Sequence, residues 1–359
     1  MATIVLAGGG TAGHIEPALA VARAWRDAHP SDVIRFIGTK TGLENTLVPA
    51  AGFTLAHIPK ISIARKPSLT WLKIPFNLVR AVTAARIICK DADLLIGFGG
   101  YVSAPAYFAA RLTSIPTVIH EANSKPGWAN RLGALMTPYL AVTNGIGSRE
   151  FGDALVTGLP LRSDVAQAFR ASSGDWKSAR MEAKKRMGFA EKAPLIFIMG
   201  GSQGSIAINS AISGAIPTLL SSGISILHSV GRANSLPAAV GAYHPLAYVN
   251  TMADAYLASD LVIARSGAVT CSEFRALGRY ALFVPLPIGN GEQFHNAATL
   301  VKEARAEIIE QSKFTAQYLI THMAELLSRS NAAPINGSDV DLNAAEKILA
   351  LAEFAISKR

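Results

Sequence analysis

The stretch IVLAGGGTAGHIEPALAVARAW, which runs from Ile4 to Trp25, decides the fold of the first half of the chain. An apolar run without polar alternation is followed by glycines and then by a helical pattern. This order predicts a buried parallel strand, a tight loop and a helix whose first N–H groups are open to an anionic ligand. Gly8, Gly10 and Gly13 have the GxGxxG spacing of dinucleotide-binding loops, and His14 follows them directly.

The same unit opens the second half of the chain, where LIFIM at 195–199 is followed by GGSQG at 200–204 and a helical pattern. Two doubly wound α/β domains are therefore predicted, each with a parallel sheet. Helices are predicted at 17–28 and 72–90. The remaining predicted strands are 33–37, 94–96, 117–119, 224–227, 261–263, 281–284 and 307–309.

Domain boundaries are placed at 160/161 and 340/341. The first follows from TGLPLR at 157–162, after which the polar stretch 170–192 is predicted to lie on the surface. The tail, 341–359, is predicted to be a helix that packs back on the first domain. Its apolar face comprises Leu342, Ala345, Leu349, Ala352 and Ile356, which recur at steps of three and four.

Composition narrows the class of protein. Half of the 359 residues are hydrophobic and only 16% are charged, which is typical of a globular chain. The net charge of +9 indicates an anionic partner, such as nucleic acid, an acidic membrane surface or a phosphorylated small molecule. Cys89 and Cys271 match no metal-binding spacing. Neither a signal peptide nor a transmembrane helix is predicted.

The glycine loops allow more than one interpretation. For the first loop, an NADP-dependent oxidoreductase is one candidate, because Arg35 and Lys40 stand where an NAD enzyme carries an acidic residue. The second loop lacks the Lys-[Ser/Thr] ending of a P-loop, which argues against hydrolysis of a nucleoside triphosphate. The glycines could also serve only as tight turns. Two such loops in two similar halves favour ligand binding at the carboxyl ends of both sheets, in a cleft.

A series of motifs in fixed order carries a resemblance to the MurG family. The motifs are GGGTAGH (8–14), GGYVSAP (99–105), HEAN (120–123), TGLPLR (157–162), GGSQG (200–204) and ARSGAVTCSEFRALGRYALFVPLPIGNGEQFHNA (264–297). The resemblance implies the type B glycosyltransferase fold, in which two Rossmann-like domains face each other across a cleft.

The activity that the resemblance implies is that of an inverting hexosyltransferase. It moves GlcNAc from UDP-GlcNAc to the C4 hydroxyl of MurNAc in lipid I, an undecaprenyl-pyrophosphoryl-MurNAc-pentapeptide, and so forms lipid II. That reaction serves peptidoglycan synthesis, and with it cell shape and division. No metal and no cofactor are expected. A type B transferase with another acceptor is the near alternative.

The resemblance also implies a set of donor-binding residues. Glu273 would hold the ribose hydroxyls, while Ser202 and Arg162 would meet the diphosphate. Ser202 could instead be a helix N-cap, and Val249, expected to read the uracil by its backbone, could be a core valine. The full donor set is Thr11, Ala12, Gly13, His14, Asn123, Arg162, Ser202, Val249, Ala268, Val269, Thr270, Glu273, Glu292 and Gln293.

On the acceptor side the resemblance implies Thr11, His14, Tyr101, Glu121 and Asn123. His14 is the expected catalytic base, because histidine titrates near neutral pH. Glu121 is the rival base or the group that orients the base, and His120 is expected to be a structural neighbour. The chain departs from the family pattern at three positions, which are Ala12 and Leu159 in place of glycine and asparagine, and Glu292 in place of glutamine.

A basic segment without Asp or Glu runs from Asn45 to Lys90. Its cations are Lys60, Arg65, Lys66, Lys73, Arg80, Arg86 and Lys90. Its interleaved apolar residues are Ile61, Ile63, Leu69, Trp71, Leu72, Ile74, Phe76, Leu78 and Val79. This mixture predicts peripheral binding to the anionic inner leaflet, at the cytoplasmic face of the plasma membrane. The apolar residues could instead be the core face of a helix. Other cell-wall synthesis proteins are possible partners under the resemblance, and nucleic acid is not expected.

Overall fold

The structure is a computed structural model that describes residues 1–61, 74–288 and 290–359. The chain divides into two compact units. Unit 1 comprises Met1–Arg162 together with Asp341–Arg359, and unit 2 comprises Ser163–Val340. Each unit is built on one sheet whose strand pairs are all parallel. The predicted α/β class, with two Rossmann-like domains, is confirmed.

The sheet of unit 1 has the strand order β3-β2-β1-β4-β5-β6-β7. Its strands are β1 (Thr3–Gly8), β2 (Val33–Gly38), β3 (Thr54–His57), β4 (Leu94–Gly99), β5 (Thr117–Glu121), β6 (Tyr139–Val142) and β7 (Leu155–Val156). Its helices before the chain enters unit 2 are α1 (Ala12–Ala28), α2 (Glu44–Ala50), α3 (Ile74–Cys89), α4 (Ser103–Thr113) and α5 (Trp128–Ala134).

Strand β1 shows why the sequence lacks polar alternation. Ile4 and Leu6 pack into a core on one face of the sheet, and Val5 and Ala7 pack into a second core on the other face. A parallel sheet covered by helices on both faces buries every side chain of its central strands. The continuous apolar run is therefore the pattern that this fold requires.

Helix α1 begins at Ala12, five residues before the start predicted from Pro17. Proline is favoured at the first position of a helix, but Pro17 lies inside α1. Thr11 stands at the N-cap position with extended backbone. The early start places Gly13 and His14 in the first turn of the helix, next to the glycine loop.

Unit 2 has the strand order β10-β9-β8-β11-β12-β13. Its helices are α6 (Ser163–Ser172), α7 (Trp176–Arg186), α8 (Ile206–Ser221), α9 (Met252–Ala258), α10 (Ala268–Leu277), α11 (Glu292–Asn296), α12 (Ala298–Lys302) and α13 (Ala316–Ala332). Its strands are β8 (Leu195–Met199), β9 (Ser225–Ser229), β10 (Tyr243–Leu246), β11 (Leu261–Ala264), β12 (Ala281–Phe283) and β13 (Ala306–Ile308).

The prediction that 170–192 lies on the surface is wrong in part. Helix α7 buries Arg180 and Lys184, which are only 8% and 7% exposed. Lys184 Nζ lies 2.7 Å from a carboxylate oxygen of Asp260, and Arg180 donates to backbone carbonyls. Buried charges are tolerated where they are paired or hydrogen-bonded in this way. The polar composition of 170–192 therefore gave no sign that one face of α7 is buried.

The C-terminal helix α14 (Ala344–Ser357) belongs to unit 1, where it packs against α1. It buries Ala344, Ile348, Ala352 and Ala355, a face turned slightly from the predicted one. Three of the predicted residues, Ala345, Leu349 and Ile356, are partly buried at the margin of the same core. In the described residues, no helix is long and apolar enough to cross a bilayer.

Candidate functional site

The loops that follow β1, β2, β4 and β5 emerge at one edge of the first sheet, because all of its strands are parallel. In open α/β sheets this carboxyl edge is where ligands bind. Sequence-predicted acceptor residues lie on three of these loops, at the helix starts that follow them or, for Glu121, at the end of β5. They are Thr11, His14, Tyr101, Glu121 and Asn123.

The imidazole of His14 is closely enclosed by glycines. A Cβ atom built on Gly99 would lie 3.3 Å from His14 Cδ2, and one on Gly100 would lie 3.2 Å from Nδ1. Both glycines have positive φ, of 90° and 84°. His14 Nδ1 lies 3.3 Å from Thr11 Oγ1. The glycine turn after β4 therefore fixes one face of the ring.

Burial lowers the pKa of His14, although a hydrogen bond with the backbone of Gly9 opposes this effect. A lowered pKa leaves the imidazole neutral at pH 7. A neutral ring can accept a proton, which is what a general base must do.

Glu44, which the sequence did not single out, organises this edge from within. Its fully buried carboxylate accepts hydrogen bonds from the backbone N–H of Gly10 at 3.0 Å and of Thr39 at 2.9 Å. The Thr39 hydroxyl lies 3.2 Å from the same carboxylate, and the Tyr101 hydroxyl 3.4 Å. Although burial raises the pKa of Glu44, these hydrogen bonds to the charged form outweigh it and lower the pKa overall.

Tyr101 is held against the first glycine loop. Its hydroxyl lies 3.0 Å from the Thr39 hydroxyl, and a Cβ atom on Gly10 would lie only 2.7 Å from its ring. Gly10 has a φ of 91°, which a residue with a side chain rarely adopts. The loop therefore needs glycine there for both its conformation and the space for Tyr101.

Glu121 is 2% exposed, and both of its carboxylate oxygens are occupied. Oε1 accepts from the backbone N–H of Asn123 at 2.8 Å and from its side-chain amide at 3.1 Å. Oε2 accepts from the backbone N–H of Gly127 at 3.0 Å and from the Asn130 amide at 2.9 Å. Burial raises the pKa of Glu121 in spite of these bonds. The carboxylate holds the loop 122–127 in shape.

Two further predicted residues lie at the end of the first part of unit 1. Arg162 is its last residue before unit 2 and is half-buried. Leu159, where some family members carry asparagine, is buried, and its N–H donates to Asp341 at 2.9 Å.

His120 on β5 is also buried, with Nε2 lying 2.9 Å from the Gly158 carbonyl, and burial lowers its pKa to about 4. His120 therefore lies in the core, as a neutral ring.

In unit 2 the loop after β8 turns through Gly201 and Gly204, whose φ values are 91° and 79°. The N-cap of α8 is Ser205, whose hydroxyl accepts from the N–H of Ile208 at 3.4 Å. Ser202 is therefore not the N-cap, which was its alternative role, and it lies half-buried in the loop itself.

Arg265, in the loop after β11, joins three other loops of unit 2, and the sequence did not assign it a role. Its guanidinium donates to the Ser205 hydroxyl at 2.7 Å and to the Gln311 side chain at 2.6 Å. It also donates to the carbonyls of Val284 and Pro285 at 2.9 and 3.1 Å. The loops after β8, β11, β12 and β13 are thus tied together at the carboxyl edge of the second sheet.

Helix α10 presents its start at this edge. Ala268, Val269 and Thr270 form its first turn, and the N-cap, Gly267, supplies no side-chain cap. The first N–H groups of a helix have no partner within the helix and attract anions. One turn further on, Glu273 is 4% exposed, and the Tyr256 hydroxyl lies 3.4 Å from its carboxylate.

The remaining donor candidates of unit 2 are Val249, Glu292 and Gln293. Val249 is 1% exposed and precedes α9, so its side chain belongs to the core, and only its backbone could contact the uracil. Glu292 and Gln293 open α11, and Gln293 Oε1 accepts from the N–H of Leu286 at 3.0 Å. A cavity of about 530 Å³ adjoins them, lined by Pro285, Leu286, Pro287, Ile288, Gly291, Phe294, Glu310, Gln311 and Ser312.

Comparison with known proteins agrees with this arrangement. The model of the glycosyltransferase family 28 N-terminal domain matches residues 4–139, and that of the family 28 C-terminal domain matches 195–350. A solved structure, that of MurG from Acinetobacter baumannii, superposes with a TM-score of 0.71 at 26% identity, and the match covers 99% of this chain and 100% of that one.

Curated relatives are closer in sequence. The UDP-N-acetylglucosamine--N-acetylmuramyl-(pentapeptide) pyrophosphoryl-undecaprenol N-acetylglucosamine transferase of Corynebacterium glutamicum strain R is 45% identical over 326 residues, covering 90% of this chain and 89% of the relative. The enzyme of the same name from Thermobifida fusca is 40% identical over 369 residues, covering 97% and 94%. The resemblance seen in the sequence motifs is thereby confirmed, and the chain belongs to glycosyltransferase family 28 and, within it, to the MurG family of N-acetylglucosamine transferases.

Proposed function

We propose that this protein transfers GlcNAc from UDP-GlcNAc to the C4 hydroxyl of MurNAc in lipid I and so forms lipid II for peptidoglycan. The observation that carries the proposal is the identity of 40–45% over about nine-tenths of the chain with enzymes whose names state this donor and acceptor. An oxidoreductase receives no support, because both halves of the chain match glycosyltransferase domains.

Unit 2 binds the donor under this proposal. The carboxylate of Glu273 can accept hydrogen bonds from two neighbouring hydroxyls, as a ribose presents them. The N–H groups at the start of α10 and in the loop 200–204 suit a diphosphate. Glu292 and Gln293 are assigned to the hydroxyls of the sugar. The Gln293 amide oxygen already holds the backbone of Leu286, so its NH2 group is the part that remains for a ligand.

His14 serves as the general base. The C4 oxygen attacks the anomeric carbon of GlcNAc as the bond from that carbon to the β-phosphate oxygen breaks, and the hydroxyl proton passes to the neutral imidazole. UDP leaves with the electron pair of the broken bond. N–H groups already in place stabilise the charge that develops on it, together with Arg162. Losing one such donor typically costs about 3–4 kcal/mol of transition-state stabilisation.

Glu121 is a positioning residue in this account rather than the base. Both of its oxygens already accept two N–H groups each. A base must offer a free lone pair to the acceptor hydroxyl, and Glu121 would have to give up a hydrogen bond to do so. Its effect is instead to hold Asn123, which is assigned to the sugar, in one orientation.

The lipid acceptor requires a membrane surface, and we assign this contact to the exposed side of α3 in unit 1. Phe76, Val79 and Ile87 on this helix are 65%, 63% and 72% exposed. Arg80 and Arg86 are exposed on the same helix, and Arg80 lies over the Phe76 ring at 5.7 Å. Residues Arg65, Lys66, Leu69, Trp71 and Lys73, and the other positions of 62–73, lie outside the described residues.

A turnover assay tests the function. Purified protein is incubated with UDP-GlcNAc and a short-chain lipid I analogue, with UDP-glucose and UDP-GalNAc as donor controls. The proposal predicts a disaccharide-linked product and stoichiometric UDP with UDP-GlcNAc alone. Release of UDP without transfer, or transfer to a different acceptor only, would contradict it.

A further inference from the structure

Four arginines form a cluster at the amino edge of the second sheet. Arg279 precedes β12, Arg305 directly precedes β13, and Arg275 lies in the last turn of α10, which runs back from the carboxyl edge. Arg180 of α7 donates to the carbonyl of Gly278, between α10 and β12. The loops assigned to the donor follow the strands and so lie at the opposite edge of this sheet.

Most partners of these arginines are neutral carbonyls of one segment, 331–338. Arg279 donates to the carbonyl of Asn331 at 3.1 Å, and Arg180 donates to that of Ile335 at 2.8 and 2.9 Å. Arg305 donates to the carbonyl of Asn336 at 2.8 Å. These bonds hold the segment in place, but they neutralise no charge.

Of the four arginines, Arg275 and Arg305 have the smallest exposed fractions, and neither has a buried carboxylate as a close partner among the described residues. They are 6% and 7% exposed. The guanidinium of Arg305 donates to the carbonyl of Asn336. The backbone carbonyl of Arg275 accepts from the N–H of Ser338 at 3.0 Å, so both residues contact the same short piece of chain, Arg275 through its main chain. Burial lowers the pKa of Arg305, Glu303 partly opposes this effect, and the nearby charge of Arg275 lowers the pKa further by a smaller amount.

Three guanidinium nitrogens of the cluster are buried without a hydrogen-bond partner among the described residues. They are Arg275 Nε, Arg279 Nε and Arg305 Nη1. Among the residues that the structure describes, none forms a hydrogen bond or an ion pair with the side chain of Arg275. Buried polar groups normally have a partner, and a buried charge without one destabilises the folded state.

The acidic side chains that face the cluster are too few to balance it. Asp260 lies 3.7 Å from Arg279, but it also holds Lys184 at 2.7 Å. Glu303 lies 4.0 Å from Arg305 and is 40% exposed, where solvent screens its charge. Burial and the positive charges of Arg279 and Arg305 together lower the pKa of Arg180 to about 10, in spite of Asp260. The cluster therefore keeps an excess of positive charge.

We propose that Arg275 and Arg305 bind a small oxyanion of the phosphate or sulfate class beneath the segment 336–338. Guanidinium groups match the oxygens of such anions with paired N–H donors, and they are favoured for buried anion recognition. The near-complete burial of both arginines limits the ligand to a small ion rather than a nucleotide or a protein. Because the site lies at the other edge of the sheet from the donor loops, it is a second anion site in unit 2.

Thermal unfolding with inorganic phosphate tests the site. The wild type is compared with Arg275→Gln and with the control Arg170→Gln, which removes an exposed charge of the same unit. Potassium chloride holds the ionic strength constant, and UDP is added so that phosphate cannot act through the donor loops. We expect phosphate to raise the unfolding temperature of the wild type and the control, and we expect Arg275→Gln to lose this rise.

The order of stabilities without phosphate sharpens the test. Arg275→Gln removes one of the like buried charges of the cluster, so in phosphate-free buffer it should unfold at the same temperature as the wild type or above it. With phosphate the order should reverse. A wild type that does not respond to phosphate, or an equal response in Arg275→Gln, would overturn the proposal.

A crystal of the wild type soaked in selenate gives a second test that needs no variant. Selenium is located by its anomalous signal. A peak within hydrogen-bonding reach of both Arg275 and Arg305 supports the site. A soaked crystal without a peak there would overturn it, and the arginines would then serve only to hold the segment 331–338.

Discussion

The carboxylate of Glu44 accepts a hydrogen bond from the backbone N–H of Gly10 at 3.0 Å and is fully buried beneath the first glycine loop. The same group holds Thr39 and lies 3.4 Å from the Tyr101 hydroxyl. One side chain from the start of α2 thus links the loops after β1, β2 and β4. The shape of the loop that carries His14 depends on this buried acid.

Replacing Glu44 with glutamine should therefore destabilise unit 1. The amide offers an NH2 group where the carboxylate accepted, so at least one buried N–H loses its acceptor. Such a loss costs about 1–3 kcal/mol. Urea unfolding followed by circular dichroism measures the change. Glu353→Gln, at a half-exposed ion pair with His29, is the control and should cost less than about 1 kcal/mol. Equal effects of the two changes would contradict the role given to Glu44.

His14→Ala should slow turnover about 10²- to 10⁴-fold, which is the usual contribution of a positioned general base. The dissociation constant for UDP-GlcNAc, measured by calorimetry, should change little. His29→Ala, at the other end of α1, is the matched control and should retain activity. Donor affinity lost in parallel with turnover would make His14 a binding residue instead.

The pH dependence of kcat/KM, which reports the pKa values of the free enzyme, gives a separate test of His14. Burial lowers the pKa of this imidazole below its usual value near 6.5. The base is lost as pH falls through the folded-state pKa, so the acidic limb of the profile should lie below pH 6.5. That limb should be absent in the residual activity of His14→Ala. A limb well above pH 6.5, or one that persists in the variant, would assign the titration to another group.

Glu273→Gln should weaken binding of UDP-GlcNAc about tenfold to a hundredfold. Hydrogen bonds to charged groups contribute about 1.5–3 kcal/mol, and 1.4 kcal/mol is a factor of ten in affinity. Calorimetric titration measures the change, with Glu182→Gln on the exposed surface of α7 as the control. Unchanged affinity in Glu273→Gln would remove this residue from the donor site.

The two sheets could be predicted from sequence because their central strands are continuous apolar runs. The strand 195–199 was predicted to the residue, whereas β3, β6, β7 and β10 were not predicted. Those strands lie at or beside the edges of the sheets, where short segments give a weak pattern. The residues of the loops could be proposed only through the ordered motifs of the family.

Glu44 and Arg265 show what sequence reasoning missed. Each is a charged residue whose importance comes from loops distant in sequence that it ties together. Nothing in the spacing of Glu44 distinguishes it from a surface glutamate at the start of a helix. Arg265 lies within a recognised motif, but only its contacts with Ser205 and Gln311 reveal its part in the site. Such roles follow from tertiary contacts, which local patterns do not encode.

Binding to an anionic membrane should depend on the cations of α3. Each cation near such a surface contributes about 1 kcal/mol, so Arg80→Ala with Arg86→Ala should weaken binding roughly twentyfold to thirtyfold. Sedimentation with vesicles of phosphatidylcholine and phosphatidylglycerol measures the change. Arg149→Ala with Arg170→Ala removes two exposed charges elsewhere and serves as the control. Equal binding to neutral vesicles, or no effect of the α3 changes, would contradict the assignment.

A crystal structure of the wild type with UDP-GlcNAc is the most direct measurement of the donor site on which the account rests. It should show the ribose hydroxyls at hydrogen-bonding distance from Glu273 and the diphosphate at the start of α10 and the loop 200–204. A uridine bound at the glycine loop of unit 1, or anywhere else away from Glu273, would contradict the account.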